Sequence, residues 1–219
     1  MRVIVLDTET ASLTQGVVDI AIAVVNEYFD VLWSVESLID PECPISPEAM
    51  GVHHITEEMV WDKPTLQEFM ELNEMPLYDV DVVVGHKISF DLGFLQDYLP
   101  EQFKTIDTLK LARNAWPDAE SHKLQTLRYK FKLDAGDAHR AMGDVITTIN
   151  LAKRLMAEYG TDFNGLLNLM SAPVSTQYVM PFGAHKGTRI CDIPRNYAWW
   201  VVNKSDFEPE LKLAFSTLL

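Results

Sequence analysis

The sequence predicts an α/β protein, in which a mixed β-sheet is flanked by helices and followed by a small C-terminal appendage. Two observations support this prediction. Three short apolar segments follow one another without a helix between them, and from residue 80 onward strands alternate with helices. The 219 residues suffice for one α/β domain of ordinary size with an appendage, but not for two full domains. An apolar content of 47% with 23% charged residues excludes wholesale disorder.

The three N-terminal segments are predicted to form an antiparallel meander of strands: Val3–Leu6, Val17–Val25 and Val31–Ile39. The first strand is expected to end at Asp7, where the apolar run stops. Prolines at positions 41, 44 and 47 are then expected to break the chain. A helix is expected to begin near Thr56, which is followed by two glutamates.

The second half of the main domain alternates between apolar strands and helical patterns. Strands are predicted at Val80–Val84 and Phe103–Ile106, and helices at Phe90–Leu99, Thr108–Trp116, Leu124–Phe131 and Arg140–Tyr159. A boundary near Ser171-Ala172-Pro173 separates a main domain over residues 1–170 from a small module over residues 173–219. In that module a short strand (Gln177–Met180), a glycine-rich turn and two helical stretches are expected.

The net charge of −14 argues against a polyanionic partner until its distribution is considered. Residues 1–103 carry 3 Lys/Arg and 20 Asp/Glu, whereas residues 104–154 carry 10 and 6. This basic stretch could follow a phosphate backbone or could be an ordinary solvated helix surface, and charge alone favours the second interpretation. Its candidate phosphate contacts are Lys123, Arg128, Lys130 and Lys132.

Two cysteines, Cys43 and Cys191, are too few for a metal cage or a disulfide framework. No apolar run is long enough to span a membrane, and an acidic residue at position 7 interrupts any signal peptide. We therefore expect a reduced, cytoplasmic protein without a membrane partner.

Acidic residues follow three predicted elements. Asp7 and Glu9 stand two apart at the end of a strand, so both side chains point to the same side. Two such carboxylates repel one another unless a cation neutralises them, and hard oxygen ligands suit Mg²⁺ or Mn²⁺. Asp91 stands in the first turn of a helix, and Asp144 in the first turns of another, five residues after His139. Taken singly, each has a structural explanation, as a helix cap or a solvated strand end.

Together, and in this order, these residues resemble the three exonuclease motifs of the DEDD superfamily. The matching segments are Asp7-Thr8-Glu9-Thr10, His86-x-x-x-Phe90-Asp91 and His139-Arg140-Ala141-x-x-Asp144. The histidine five residues before the last aspartate is typical of the DEDDh branch. Further matches are Gly51-Val52-His53-x-Ile55-Thr56, Ile106-Asp107-Thr108-Leu109 and Ser121-His122-Lys123-Leu124. The resemblance covers about residues 1–155 and implies a ribonuclease H-like fold and 3′→5′ exonuclease activity.

The resemblance also implies a role for each matching residue. Asp7, Glu9 and Asp144 would hold one divalent ion, and Asp7 with Asp91 a second, both Mg²⁺ or Mn²⁺. His139 would be the general base that activates water. The substrate would be a DNA 3′ end, single-stranded or frayed from a duplex, and the products nucleoside 5′-monophosphates. The candidate substrate-binding residues are Thr8, Thr10, Leu13, His53, Lys87 and Phe90. Met59 and Phe90 are also interpreted as packing residues, while Leu13 and His53 fit either role.

The chain departs from the family pattern at two positions. Lys87 replaces the usual asparagine after the histidine of the second motif, and Asp19 replaces a common glutamate in the second strand. Neither change removes a metal ligand. Lys87 would place a cation near the substrate phosphate. Asp107, a further acid at a strand–helix junction, is predicted to be a structural cap.

The C-terminal segment resembles the small module that closes bacterial exodeoxyribonuclease X proteins. The resemblance rests on Pro181-Phe182-Gly183-x-x-Lys186-Gly187 and Ile193-Pro194-x-x-Tyr197-x-Trp199. The module could contact nucleic acid through Lys186 and Arg189, form a homodimer, or be a small core. We expect Trp199 to be buried, and leave Trp200 open. Residues 177–182 resemble sliding-clamp peptides, but clamp contact is not expected because they run into the glycine turn.

Several functions share this motif set. The leading hypothesis is an exodeoxyribonuclease acting in DNA repair or recombination. Alternatives are a polymerase-associated proofreading exonuclease, an RNA 3′-end trimming enzyme and a non-catalytic nucleic-acid-binding module. A non-catalytic binding module has no need for the five motif residues Asp7, Glu9, Asp91, His139 and Asp144. An enzyme distinguishes DNA from RNA by its contacts to the 2′ position of the sugar, which the sequence does not show.

Overall fold

A computed structural model describes residues 1–73, 76–134, 140–170, 174–180, 182–207 and 209–219 of the protein. Five strands form one mixed sheet in the order β3-β2-β1-β4-β5. Their bounds are β1 Val3–Thr10, β2 Val17–Val25, β3 Val31–Leu38, β4 Val82–Gly85 and β5 Lys104–Asp107. Strand β1 is antiparallel to β2 and parallel to β4, and β4 is parallel to β5. The predicted mixed sheet is confirmed.

Strand β1 is longer than its apolar run, so the prediction that it ends at Asp7 is wrong. It continues to Thr10 because β2 pairs with it from Val3 opposite Val25 to Thr10 opposite Val17, with one register shift between Glu9 and Thr10. Ladder hydrogen bonds satisfy the backbone there whatever the side chains are. The acids of β1 therefore lie within the strand.

Helices cover both faces of the sheet and include three that the sequence analysis did not predict. The α-helices are α1 Pro47–His53, α2 Glu57–Val60, α3 Leu66–Leu72, α4 Ser89–Leu95, α5 Thr108–Ala115, α6 Leu124–Phe131, α7 Ala141–Tyr159, α8 Phe163–Leu169, α9 Arg195–Lys204 and α10 Pro209–Ser216. Short 3₁₀ turns occupy Pro76–Asp79, Gln96–Tyr98 and Ile190–Asp192. Helices α1, α3 and α8 were missed.

Helix α1 was not predicted because its first turn contains a proline. Pro47 was interpreted as a chain break, but it stands in the first turn of α1, where its missing N–H costs nothing. Ser46 caps this helix, its side chain accepting a hydrogen bond from the backbone N–H of Ala49.

Two apolar clusters hold the helices against the sheet. On one face Leu111, Leu127, Val145 and Phe163, from α5 to α8, pack on the sheet. On the other face Phe69 of α3 and Leu95 of α4 do so. None of the described helices combines the length and the apolar character that a membrane crossing needs.

The C-terminal segment has its own apolar cluster, which α9, α10 and the preceding loop share. The strand predicted over residues 177–180 is reduced to a single bridge between Val179 and Arg189. The burial predicted for Trp199 is wrong, since its side chain is 51% exposed. Ala198 and Val201 point into the cluster instead, because the helical period places them together on the inner side.

Candidate active site

The acids of β1 lie at the carboxyl edge of the sheet, where β1 and its parallel neighbour β4 both end. Thr8 and Thr10 are buried, while Asp7 and Glu9, on alternate positions, are half-buried. This alternation follows the period of two of an extended chain. It turns both carboxylates toward the same side of the sheet, as the sequence predicted from their spacing.

Helix α7 brings the third carboxylate. Its first residue is tied to β2 by Asp19, whose Oδ2 accepts hydrogen bonds from Arg140 Nε at 2.8 Å and Ala141 N at 3.3 Å. Asp144 lies one turn further along α7. One carboxylate oxygen from each of Asp7, Glu9 and Asp144 lies within 4.8 Å of the others, which makes this group geometrically able to hold a metal ion.

Asp91, the fourth predicted ligand, lies beside this group. It is buried in the first turn of α4 and accepts hydrogen bonds from Thr8 N at 2.9 Å and Thr8 Oγ1 at 2.8 Å. Thr8 therefore attaches α4 to β1. Among the described residues, the cluster with mutual oxygen distances of 4.8 Å or less contains Asp7, Glu9 and Asp144 but not Asp91.

Burial and mutual repulsion raise the pKa values of these acids. Desolvation is the largest cause for Asp7, followed by Asp91 and Asp144, and holds its pKa well above the ordinary range. Desolvation, then Asp144 and Asp19, raises the pKa of Glu9 to about 8. Desolvation also raises the pKa of Asp91 to about 7, against the hydrogen bonds from Thr8. The protein thus keeps carboxylates where ionisation is unfavourable unless a cation is bound.

A glutamine that the sequence analysis missed contacts the site. Gln125 Nε2 of α6 donates a hydrogen bond of 2.5 Å to Asp144 Oδ1, and Arg128 Nη1 donates one of 3.2 Å to Gln125 Oε1. Gln125 directly follows the matching segment that ends at Leu124, but nothing in the sequence relates it to an aspartate 19 residues away. Only the packing of α6 beside α7 does so.

The loop between β4 and α4 is fixed by hydrogen bonds to the start of α5 and to the segment before α6. His86 Nδ1 lies 3.0 Å from Thr108 Oγ1, and its Nε2 lies 2.9 Å from the carbonyl oxygen of His122. Burial lowers the pKa of His86 to about 4, so this ring is neutral. Asp107 Oδ1 accepts hydrogen bonds from the backbone N–H of Lys87 at 3.0 Å and of Leu109 at 2.8 Å. The predicted role of Asp107 as a cap is confirmed.

A cavity of about 330 Å³ opens beside Glu9 between β1, α1 and α4. It is lined by five of the six candidate substrate-binding residues, Thr8, Thr10, Leu13, His53 and Phe90. Leu13 is 84% exposed at its rim, whereas His53 is buried and accepts a hydrogen bond from Ile55 N at 3.0 Å through Nδ1. Phe90 packs on Phe94, with 5.3 Å between ring centroids.

Other predicted residues lie apart from this cavity. Lys87 is outside it, with its Nζ 6.0 Å from the Phe90 ring centroid. Lys123, Lys130 and Lys132 are exposed, and of the basic stretch Arg128 reaches the acids through Gln125. Met59 does not line the cavity and is 39% exposed. His139 lies outside the described residues, as does the boundary segment 171–173.

The fold and the acidic cluster agree with comparisons to known proteins. A model of the family described as exonuclease matches residues 4–152, and one described as putative quorum-sensing-regulated virulence factor matches residues 173–215. Exodeoxyribonuclease 10 of Escherichia coli K12 is 30% identical over 223 residues, which cover 98% of this chain and 97% of that protein. A PolC-type DNA polymerase III of Pediococcus pentosaceus is 33% identical over 76% of this chain but only 12% of its own length.

Solved structures give the same result. Exonuclease X in complex with 5′ overhanging duplex DNA superposes with a TM-score of 0.64 at 31% identity, over 77% of this chain and 99% of the other. E. coli exonuclease I with a dT13 oligonucleotide superposes with a TM-score of 0.61 at 18% identity, over 73% of this chain and 42% of the other. The latter shows a shared fold alone.

A ribonuclease H-like sheet with clustered carboxylates at its carboxyl edge defines a class of phosphodiester hydrolases. Within that class, this chain belongs to the DEDD exonuclease family. It is therefore an enzyme of the exonuclease type, as the three sequence motifs indicated.

Proposed function

We propose that the protein is a metal-dependent 3′→5′ exodeoxyribonuclease that hydrolyses DNA from its 3′ end to nucleoside 5′-monophosphates in DNA repair or recombination. The observation that carries this proposal is the convergence of Asp7, Glu9 and Asp144 within 4.8 Å in a chain of the exonuclease family. End-to-end similarity to a relative named exodeoxyribonuclease supports DNA as the substrate.

The donor set fits divalent cations. Three carboxylates that approach one another at a buried edge are hard anionic ligands, the kind that Mg²⁺ and Mn²⁺ prefer. We assign Asp7, Glu9 and Asp144 to one ion and Asp7 with Asp91 to a second. Bound there, such ions would supply positive charge to the attacking and leaving oxygens of an in-line displacement.

The remaining catalytic group is His139. We propose that its imidazole accepts a proton from the attacking water, so that the water oxygen forms a bond to phosphorus as the bond to the 3′ oxygen breaks. The position of this histidine, five residues before Asp144, is the motif spacing of the DEDDh branch.

The cavity beside Glu9 is proposed to hold the terminal nucleoside. Phe90 and the exposed Leu13 contribute apolar surface to its lining, and Thr8 and Thr10 line it together with Glu9. His53 lines the same cavity, and its Nδ1 accepts a hydrogen bond from the backbone N–H of Ile55, which fixes the position of the ring. Lys87 is proposed to contact a phosphate further along the strand.

Residues 1–170 are proposed to be the exonuclease domain, and residues 173–219 an accessory module with a separate apolar cluster. A homodimer remains a prediction. A clamp contact through residues 177–182 is not proposed, because Tyr178 and Met180 are buried in the module.

A polymerase-associated proofreading role is the second candidate, because PolC-type polymerases are similar over about three quarters of this chain. A digestion of 3′-labelled single-stranded DNA, duplex DNA and RNA, with and without Mg²⁺, tests the proposal. We expect Mg²⁺-dependent release of 5′-mononucleotides from DNA by the isolated protein. Faster release from RNA would favour the trimming alternative, and binding without cleavage would favour the non-catalytic one.

A further inference from the structure

Five aromatic side chains contact one another in a row on the C-terminal part of the protein, in the order Phe182, Phe207, Trp200, Tyr197 and His185. The distances between successive ring centroids are 5.3, 6.3, 5.4 and 4.3 Å. These spacings are typical of interacting aromatic pairs. We refer to these five residues as the aromatic row.

Two members of the row lie at the surface. Phe182 is 44% exposed and Trp200 is 43% exposed, on either side of the half-buried Phe207. Neither belongs to the apolar cluster of the module, which is filled by other side chains. Both rings contact Phe207, so together they form a continuous apolar surface in solvent, the kind of patch that marks an interaction site.

Basic side chains flank the row. Lys204 follows Trp200 by one helical turn on α9, and Lys186 follows His185 in the turn that begins at Gly183. Neither lysine forms an ion pair within the part of the chain that the structure describes. Residues 174–219 carry five Lys/Arg and four Asp/Glu, whereas residues 1–173 carry 13 and 28. The row thus lies on the less acidic part of a strongly acidic protein.

One member of the row, Phe207, comes just before a segment that lines a cavity beside the helix of Asp91. Phe207 precedes Pro209 by two residues, and Pro209 with Glu210 lines a cavity of about 330 Å³. The same cavity is also lined by Lys87 and Ser89, at the start of the helix that carries Asp91. A strand that leaves the active site past Lys87 would therefore approach the segment that follows Phe207.

We propose that the aromatic row, with Lys186 and Lys204, is a stacking surface for unpaired nucleotides of the strand whose 3′ end is in the active site. Bases stack on exposed aromatic rings regardless of sequence, and lysines beside them attract the phosphates. This inference rests on the proposed function, since it takes the substrate to be a strand with an unpaired 3′ segment.

Trp199 provides a matched control for Trp200. It is the neighbouring residue on the same helix, is 51% exposed, and makes none of the ring contacts of the row. We compare the wild type with Trp200→Ala, Phe182→Ala and Trp199→Ala as full chains. Binding of fluorescein-labelled oligo(dT) is measured in EDTA, where no cleavage occurs, and unfolding is followed by circular dichroism.

For an oligonucleotide of about 20 residues, the Kd should rise about tenfold in Trp200→Ala and by a similar factor in Phe182→Ala. Trp199→Ala should bind like the wild type. The difference between Trp200→Ala and the wild type should shrink for a trinucleotide, because fewer nucleotides extend beyond the 3′ end toward the row. High salt screens the contacts between the lysines and the phosphates of the stacked strand. The affinity lost in Trp200→Ala should therefore be smaller at high salt.

Equal affinities of Trp200→Ala and the wild type would overturn the proposal, as would equal losses in Trp200→Ala and Trp199→Ala. A shift from dimer to monomer in sedimentation of Trp200→Ala, with unchanged DNA affinity, would instead assign the row to self-association and also overturn it. Failure of the proposed function is detected separately, as wild-type protein that binds oligo(dT) but releases no mononucleotide when Mg²⁺ is added.

Discussion

The acidic edge of the sheet and the aromatic row break the usual rule of burial in opposite ways. At the edge, ionisable groups of one sign are packed together, and burial raises the pKa of Glu9 to about 8. On the C-terminal part, large apolar rings are left in solvent, with Trp200 43% exposed. Each arrangement is unfavourable alone and becomes favourable with an appropriate ligand, a cation at the edge and a base on the row. The comparison shows that the chemistry of a ligand can be inferred from the type of side chain that is unfavourably placed: buried carboxylates indicate a cation, and exposed aromatic rings indicate a base.

The largest test of this comparison removes one charge from the acidic edge. Asp144→Asn should lower cleavage by about 10³-fold or more, because a metal ion contributes several kcal/mol of transition-state stabilisation. The same change should raise the melting temperature of the metal-free protein, since it relieves the repulsion that raises the pKa of Asp7 and Glu9. Single-turnover kinetics and thermal melts in EDTA measure both effects.

Asp134→Asn is the matched control, because Asp134 is an exposed acid outside the cluster. It should change neither cleavage nor melting. Normal turnover by Asp144→Asn would show that the acidic cluster is not the catalytic centre.

A smaller effect is expected from the glutamine that holds Asp144. Gln125→Ala removes the 2.5 Å hydrogen bond to Asp144 Oδ1, which leaves this carboxylate free to rotate away from a bound ion. Loss of such an outer contact should lower Mn²⁺ affinity about 10- to 100-fold. Titration of Mn²⁺ by electron paramagnetic resonance measures this without turnover. Thr126→Ala, an exposed neighbour on the same helix, should leave the affinity unchanged, and an equal loss there would point to a general effect on α6.

Metal affinity should also depend on pH. Because the pKa of Asp91 is raised to about 7 and that of Glu9 to about 8, the metal-free protein holds protons that a bound ion must displace. Mg²⁺ affinity should rise by up to about tenfold per pH unit for each proton released as the pH passes through these values. Calorimetry in buffers of different ionisation enthalpy measures the released protons.

The raised pKa values of these carboxyl groups also determine how the free energy of unfolding changes with pH. The folded, metal-free protein binds more protons than the unfolded chain between the ordinary carboxyl pKa and about 8, so its free energy of unfolding should fall as pH rises through that window. Melting temperatures in EDTA that rise with pH over this range would contradict the assignment of the buried acids.

The smallest effect concerns a contact between the main domain and the C-terminal segment. Lys110 Nζ, largely buried, lies 3.3 Å from Glu210 Oε1 of α10 and donates a hydrogen bond of 2.7 Å to the carbonyl of Met170. Glu210→Gln should lower the free energy of unfolding in urea by about 1 kcal/mol, because Lys110 keeps its charge with one neutral acceptor. The exposed pair Arg154–Glu158 is the control, and Glu158→Gln should cost less than about 0.5 kcal/mol.

The sequence predicted correctly those elements that depend on interactions between residues close together in the chain. The bounds of β2 and α6 were predicted correctly because apolar periodicity and turn residues are local signals. Helix α1 was missed because a proline in a first turn looks like a break until Ser46 is known to cap it. Trp199 was misplaced because adjacent helical residues differ by about 100° in direction, and the sequence does not say which side is packed.

The sequence by itself determined the identity and order of the acids, since the spacing of Asp7 and Glu9 on one strand and the following motifs need only local geometry. What only the tertiary structure decided was which groups meet across the chain. Asp19 ties the start of α7 to β2, Gln125 reaches Asp144 from α6, and α10 lies beside the loop of Lys87. These contacts join residues separated by 19 to 123 positions, and they follow from how helices pack on a sheet, which a local pattern of residues does not encode.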